Sequence, residues 1–148
     1  MISVFIKKLH PDAKLPKQGH HDDFCWDVVA VSEEEVAPNV WKYGLGFAME
    51  LESKKLFTDT QRCITLRPRS SVWKTGMVLS NSIGTIDEGY RGELSMVFYH
   101  VMTDMPRYKV GDRIGQLHFE EAWRMEFTEV RELSETERGT GGYGSTGK

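Results

Sequence analysis

The sequence breaks into short apolar runs that are separated by turn-forming residues. No segment repeats its apolar residues with the period of about 3.6 that marks an amphipathic helix. The first two runs, Ile2–Leu9 and Phe24–Val31, are rich in aromatic and β-branched residues, and similar runs recur at fairly regular spacing. Short strands divided by turns are typical of an all-β sandwich or barrel. The sequence therefore predicts an all-β chain, such as a jelly roll.

The other predicted strands follow the same pattern. They are Gly44–Leu51, Arg62–Leu66, Met77–Leu79, Leu94–Val101, Arg113–Phe119 and Arg124–Val130. The acidic segment Ser32–Pro38 is predicted as a loop. Ser70–Gly76 is predicted as one or two helical turns closed by its glycine. A chain of 148 residues is long enough for one well-packed core, so we predict a single domain over residues 1–133, followed by an arm, 134–148.

Composition limits the partners of the protein. The net charge is -3 and basic residues are not in excess, which argues against a nucleic-acid surface. Cys25 and Cys63 show no C-x-x-C spacing, so we expect free, mostly buried thiols. The N-terminal apolar run is too short for a signal peptide, and no long apolar stretch follows. We expect a soluble cytoplasmic protein that binds neither nucleic acid nor membrane.

The stretch Ser80–Tyr99 contains the most unusual group of side chains. Its centre, Gly84–Glu93, places a carboxylate, a phenol and a guanidinium between two β-type runs. Glycines and an acid between such runs predict a β-hairpin. On this stretch alone, a functional tip and an ordinary surface hairpin with solvated charges are both open.

Three other parts of the sequence carry candidate site residues, and one of them, Arg69–Ser71, has the donors of an anion site, whereas an exposed strand end would also explain Asp27. Asp27 lies inside an apolar run, where a carboxylate is costly unless it is paired or used chemically. Arg69, Ser70 and Ser71 combine a guanidinium with the free backbone N–H groups of a helix start, although helix capping alone would also explain the serines. Gln116 interrupts another apolar run, either as a structural amide or as a ligand contact.

The arm ends in the glycine-rich segment Arg138–Lys148, which cannot bury a core. Composition favours a disordered tail. The segment also matches two phosphate-binding patterns, but both require a helix after the glycines and the sequence ends at Lys148. A glycine-rich chain can still wrap its N–H groups around phosphates. Such a tail would order on a ligand and act as a lid.

Five stretches together resemble, in the expected order, the five motifs of the trimeric dUTP diphosphatases (dUTPases). They are Asp23–Ala30, Pro68–Gly76, Asn81–Glu93, Gly111–Leu117 and Arg138–Gly147. The first is similar only at Asp27 and in its apolar character. The fourth has Gly115 where alanine is usual, and the fifth has Tyr143 where phenylalanine is commoner.

The resemblance implies a distorted jelly-roll β-barrel that assembles as a homotrimer, with three sites at subunit interfaces and a flexible C-terminal arm closing each. It implies hydrolysis of dUTP to dUMP and pyrophosphate. Asp87 would contact the sugar 3′-OH and activate the attacking water. The residues implied for base and sugar binding are Asn81, Gly84, Ile86, Tyr90 and Tyr143.

The resemblance also implies a phosphate-binding set and a metal. Mg²⁺ would be held mainly by substrate phosphates and waters, with Asp27 holding a water at the metal or the catalytic site. The implied phosphate contacts are Arg69, Ser70, Ser71, Gln116, Arg138, Ser145 and Thr146.

Two other functions are weighed against this one. The dCTP deaminases share the fold and the Arg-Ser stretch, but they need a glutamate near the positions of Val97 and Phe98 and lack this glycine-rich tail. A catalytically silent nucleotide-binding protein would fit the divergent first motif. The presence of Asp87 and of the complete tail argues against it.

Overall fold

The computed structural model describes residues 2–52 and 59–142, which form ten strands and one 3-10 helix. The strands are β1 (Val4–Lys8), β2 (Trp26–Val29), β3 (Ser32–Ala37), β4 (Val40–Gly44), β5 (Phe47–Leu51), β6 (Thr60–Arg67), β7 (Met77–Leu79), β8 (Gly84–Asp87), β9 (Ser95–His100) and β10 (Arg113–Trp123). The helix covers Ser70–Thr75 and ends at Gly76, whose φ of 63° is left-handed, as the sequence predicts. The predicted all-β class is confirmed. In these described ranges, no helix is long and apolar enough to cross a membrane.

Two four-stranded antiparallel sheets form the body of the fold, in the orders β2-β10-β6-β8 and β3-β4-β9-β7, beside the pair β1-β5. The consecutive strands β6, β7, β8 and β9 alternate between the two large sheets, a connectivity that fits the predicted jelly roll. Both sheets contribute to one apolar core. Its largest fully buried side chains are Tyr43, Phe47, Phe98, Leu45, Leu66, Leu94, Ile114 and Val28.

The loop predicted for Ser32–Pro38 is wrong, because Ser32–Ala37 is strand β3 and pairs with β4. This strand lies at the edge of its sheet, and all its side chains except that of Glu33 are exposed. Charged side chains are common on edge strands, where they oppose pairing with other chains. The sequence analysis also missed strand β4. Backbone pairing with β4 therefore makes this segment a strand, although its acidic composition favours a loop.

The predicted strand Gly44–Leu51 is divided by a turn. Gly46 has a φ of 72°, a left-handed conformation that side chains rarely adopt, and it separates β4 from β5. The predicted inward residues Leu45, Phe47, Met49 and Leu51 are all buried. Gly44, Gly46 and Ala48 between them are buried as well, so the predicted half-buried alternation is wrong: the segment is buried on both sides as far as Met49 and runs through two strands that lie in different sheets.

The strand predicted for Arg124–Val130 is also wrong, since β10 ends at Trp123 and the following residues form no described strand. Met125 and Phe127, the apolar members of the alternation, are 71% and 86% exposed. Period-two alternation predicts a strand only where a neighbouring strand is available for backbone pairing. In a single chain the amide of Arg124 donates to the carbonyl of Asp59 at 2.8 Å, and no described strand pairs with the rest of the segment.

The central stretch Ser80–Tyr99 is only partly a hairpin. Its flanking runs do pair, because β7 is antiparallel to β9 with Val78 opposite Tyr99. Between them, β8 leaves this sheet and pairs with β6, with Asp87 opposite Cys63. The carboxylate of the predicted tip therefore belongs to the sheet that also carries Asp27.

Candidate functional site

One face of the β2-β10-β6-β8 sheet carries polar residues in register, and we call it the polar face. Gln116 of β10 lies opposite Asp27 of β2. Further along β10, Glu120 lies opposite Cys63 of β6, which in turn lies opposite Asp87. Directly paired residues of antiparallel strands project to the same side. The sheet thus presents both candidate catalytic carboxylates on one surface.

Asp27 is held by two arginines. Its Oδ1 accepts from Nε of Arg69 at 3.1 Å, and its Oδ2 accepts from Nη1 of Arg113 at 2.9 Å. The Asp27 side chain is only 17% exposed. The cost of a carboxylate in an apolar strand is thereby offset by two charge-assisted hydrogen bonds, as expected from its position.

Arg113 is a site residue that the sequence analysis missed. In a regular strand, residues three positions apart face opposite sides of the sheet, so Arg113 and Gln116 should diverge. The register shifts between Arg113 and Gly115, where two steps along β10 match one step along β2. This β-bulge adds one residue and turns Arg113 toward Asp27. Side-chain alternation therefore could not have identified it.

Three of the predicted phosphate-binding residues, Arg69, Ser70 and Gln116, line one cavity, which we call the Arg69 pocket. Its volume is about 420 Å³, and its lining includes Asp27, Arg69, Ser70, Arg113 and Gln116. Nη1 of Arg69 lies 3.4 Å from Oγ of Ser71. The side chain of Gln116 donates weakly to the carbonyl of Pro68 at 3.4 Å. The structure thus brings four predicted residues together and adds Arg113.

Asp87 lines a second cavity of about 730 Å³, the Asp87 pocket. Arg62, almost fully buried at the side chain, forms an ion pair with Glu88 beside it. Cys63 lines the same cavity and is free but half-buried, not mostly buried as predicted. Burial raises the pKa of its thiol, and the nearby carboxylates of Glu120 and Asp87 raise it further. The raised pKa disfavours the thiolate, which is the reactive form of cysteine.

Phe24 lines both pockets, but the two carboxylates lie at opposite corners of the polar face. Asp27 and Asp87 are three strands apart across the sheet and four residues apart along β10. With strands about 4.8 Å apart and about 3.4 Å per residue, the two residues are separated by roughly 20 Å. One chain does not bring them to a common atom of a small ligand.

Hydrogen bonds fix the turn that contains Tyr90. The Tyr90 amide donates to the carbonyl of Asp87 at 3.0 Å, and its hydroxyl donates to the carbonyl of Glu93 at 3.1 Å. The ring covers Gly92, where any Cβ would collide with it. The Glu93 carboxylate accepts from the amide of Gly46 at 2.8 Å. Glu93, another residue absent from the predicted site, therefore ties this turn to the body of the fold.

The other predicted base-binding residues lie at the start of β8. Asn81 is exposed, and its carbonyl accepts from the amide of Ile83 at 2.6 Å. Ile86 lies opposite Ile64 and packs against the core. Its side chain therefore supports the strand, so any contact with a base would come from the backbone of Gly84–Ile86.

The predicted residues of the arm are described only in part. Arg138 is exposed, and its Nε donates to the carbonyl of Gly141 within the same turn at 2.9 Å. Tyr143, Ser145 and Thr146 lie outside the described residues. Their predicted roles therefore stay predictions.

The donor groups near the polar face limit the kind of metal ion that could bind there. No group of three histidine, cysteine or carboxylate side chains that could hold an ion occurs within residues 2–52 and 59–142. Both oxygens of Asp27 are bonded to arginines. This donor set fits an ion that takes most of its ligands from phosphate and water, because Mg²⁺ usually keeps several waters and binds few protein groups.

Comparison with known proteins identifies the family of the chain. The dUTPase family model matches residues 12–147. The deoxyuridine 5′-triphosphate nucleotidohydrolase of Clostridium acetobutylicum is 36% identical over 99% of this chain and 98% of its own length. That of Helicobacter pylori strain Shi470 is 32% identical over 99% and 97%.

Solved structures share the fold. A mutant dUTPase of Staphylococcus bacteriophage 80alpha with dUpNHpp has a TM-score of 0.80, with 23% identity and 99% of both chains covered. A mutant dUTPase of phage phi11 of S. aureus, described with a structural Mg(II) ion, has a TM-score of 0.70, with 19% identity over 90% of this chain and 99% of its own. The matching family model and the two close relatives show that the chain belongs to the dUTPase family.

Proposed function

We propose that this protein hydrolyses dUTP to dUMP and pyrophosphate. The observation that carries the proposal is the polar face, where Asp27 and Gln116 border the Arg69 pocket while Asp87 occupies the far corner. A triphosphate needs converging cationic and N–H donors, and the Arg69 pocket supplies them. The reaction also needs a base for water, and Asp87 is an exposed carboxylate beside a fixed turn.

In the proposed reaction, Asp87 takes a proton from the water that attacks the α-phosphorus, and pyrophosphate leaves. The backbone of Gly84–Ile86 would bind uracil in the manner of a base pair, with Asn81 in support. Tyr90 would pack under the deoxyribose, where a 2′-OH would clash. The hydrogen-bonded turn around Tyr90 supports this role. Steric exclusion of a ribose 2′-OH requires an aromatic ring that cannot move away.

The phosphates would be bound by both the body and the arm. Arg69, Ser70, Ser71 and Gln116 would contact the α- and β-phosphates. The arm would close over the site, with Tyr143 stacking on uracil. Its proposed contacts to the β- and γ-phosphates are Arg138, Ser145 and Thr146. Loss of one such contact typically lowers the rate by about two to three orders of magnitude.

We propose Mg²⁺ as the cofactor. When bound, it would neutralise phosphate charge and help to orient the substrate. The two arginine bonds of Asp27 support an indirect role for this carboxylate, through a water, since direct ligation would displace an arginine. Arg69 supplies further positive charge at the same phosphates.

We propose a homotrimer with shared sites. The separation of roughly 20 Å between Asp27 and Asp87, derived from strand spacing, supports a site that takes each residue from a different subunit. The exposed apolar residues at the end of β10 and between β10 and the arm support burial of this segment on a neighbouring subunit. Those at least two-thirds exposed are Trp123, Met125, Phe127 and Leu133.

Product analysis tests the proposed activity. The protein with Mg²⁺ is offered dUTP, dTTP, UTP and dCTP separately, and selective formation of dUMP and pyrophosphate from dUTP is expected. Ammonia from dCTP would instead indicate deamination, although the corresponding positions hold Val97 and fully buried Phe98. Nucleotide binding without any product would indicate the silent regulatory protein.

A further inference from the structure

Arg113 bonds to Asp27 but is not among the proposed phosphate contacts. We infer that Arg113 is a positioning residue, which holds Asp27 so that Asp27 in turn presents Arg69 to the substrate phosphates. The inference rests on the proposed function, because it assumes that the Arg69 pocket binds phosphate. Arg113 would therefore strengthen phosphate binding through its bond to Asp27, and not only through its own positive charge.

The bond between Asp27 and Arg69 leaves the useful end of the guanidinium available. Asp27 accepts from Nε, the nitrogen nearest the aliphatic chain, and not from the two terminal nitrogens. The terminal Nη1 lies toward Ser71, at 3.4 Å from its Oγ. A guanidinium held at Nε can therefore offer its two terminal nitrogens to phosphate oxygens as a fork.

Arg113 keeps the carboxylate in this one-bond arrangement. It donates to Oδ2 of Asp27 at 2.9 Å and so holds that oxygen toward Arg113, while Oδ1 accepts from Arg69. Carboxylates and arginines readily form two parallel bonds when both oxygens are open. Without Arg113, Asp27 could rotate and take a second nitrogen of Arg69, which would remove a donor from the phosphate site.

The β-bulge in β10 directs Arg113 toward Asp27. Without the bulge between Arg113 and Gly115, the Arg113 side chain would face the opposite side of the sheet. The bulge interrupts the hydrogen-bonded ladder between β10 and β2 at the strand end. It leaves one residue unpaired, which a regular strand would not do. Its consequence is that Arg113 bonds to Asp27 while Gln116, on the same strand, lies opposite Asp27 in the ladder.

Calorimetric binding of the non-hydrolysable analogue dUpNHpp without Mg²⁺ tests the inference. We expect Arg113→Gln to weaken binding about tenfold, equivalent to about 1.4 kcal/mol. Binding of deoxyuridine, which has no phosphate, should be unchanged when measured by NMR titration. Lys42→Gln removes one exposed charge from strand β4 in the other sheet and is the matched control, with unchanged affinity expected.

A double-mutant cycle with Asp27→Asn separates positioning from simple attraction. If Arg113 acts through Asp27, Arg113→Gln should cost less than about twofold in the Asp27→Asn background. An equal loss in both backgrounds, or unchanged affinity in the single variant, would overturn the inference. If glutamine impairs folding, Arg113→Lys, which keeps the charge but not the fork, is used in the same cycle. The product analysis of the unmodified protein tests the proposed function independently.

Discussion

The thioether of Met96 fills the space that a Cβ at Gly115 would occupy. An added Cβ would lie 2.6 Å from Cε of Met96 and 3.0 Å from the carbonyl oxygen of Arg67. The dUTPase resemblance makes alanine the usual residue at this position, so glycine here is matched to the long side chain of Met96.

Gly115→Ala should therefore lower the free energy of unfolding by about 1–3 kcal/mol, because overpacking forces side chains off their preferred rotamers. Urea denaturation measures the change. Met96→Val, which removes the colliding end of the side chain, should recover part of the loss in the double variant. Equal stability of the Gly115→Ala variant and the unmodified protein would show that Met96 moves aside without cost.

Mixed subunits should restore an activity that each variant lacks. We expect Asp27→Asn and Asp87→Asn each to lower kcat for dUTP about a hundredfold or more while the fold persists. If each site takes these residues from different subunits, random trimers of the two variants should recover about a quarter of the sites. Activity after mixing under mild denaturant and refolding measures this. No recovery in verified mixed trimers would place both residues in sites of single subunits.

Truncation after Leu133 should leave a folded protein, because the buried core lies entirely before this residue. The variant would lose Arg138 and the glycine-rich arm, so we expect kcat/KM for dUTP to fall about a hundredfold or more. Circular dichroism and light scattering check the fold and assembly. Full activity without the arm would contradict its role as a lid.

Glu93 should control sugar selectivity through Tyr90. Glu93→Ala removes the bond to the Gly46 amide that ties the Tyr90 turn to the body, so we expect the preference for dUTP over UTP to fall about tenfold. The ratio of the two kcat/KM values measures this. Glu93→Gln keeps an acceptor and should retain most of the preference. An unchanged ratio in a stable Glu93→Ala variant would separate Glu93 from selectivity.

Glu33 should make stability depend on acid pH. The hydrogen bond from Arg107 holds the pKa of Glu33 below its ordinary value of 4.5, despite the opposing effect of burial. A lowered folded pKa gives stability that is present at neutral pH and is lost as pH falls through that lowered value. The Tm difference between the protein and Glu33→Gln should thus be largest above about pH 4.5 and shrink in stronger acid. The exposed Glu34→Gln on the same strand is the control, and a pH-independent difference would contradict the linkage.

Local sequence carries much of this protein's architecture and the chemistry of its site. Leu45, Phe47, Met49 and Leu51 of the predicted strand Gly44–Leu51 are buried, as their apolar character predicts, although the residues between them as far as Ala48 are buried as well. The short helix Ser70–Thr75 followed in the same way from its local signals. The sequence predicts that Asp27 is paired or functional, because burying an unpaired carboxylate in an apolar strand costs free energy.

Pairing between distant segments decided what the sequence left open. The acidic Ser32–Ala37 became a strand because β4 offered it backbone partners. The alternating Arg124–Val130 remained outside the strands because, within the described part of a single chain, no strand pairs with it.

The site shows the same division. Residue types and motif order predict Asp27, Asp87, Arg69 and Gln116 as site residues from the sequence alone. Only the folded chain aligned Gln116 with Asp27, set Asp87 at the far corner of the same face, and turned Arg113 toward Asp27 through a bulge. The sequence determines which chemical groups are available and which local conformations have low free energy. Strand register and β-bulges depend instead on hydrogen bonds between strands that are remote in sequence.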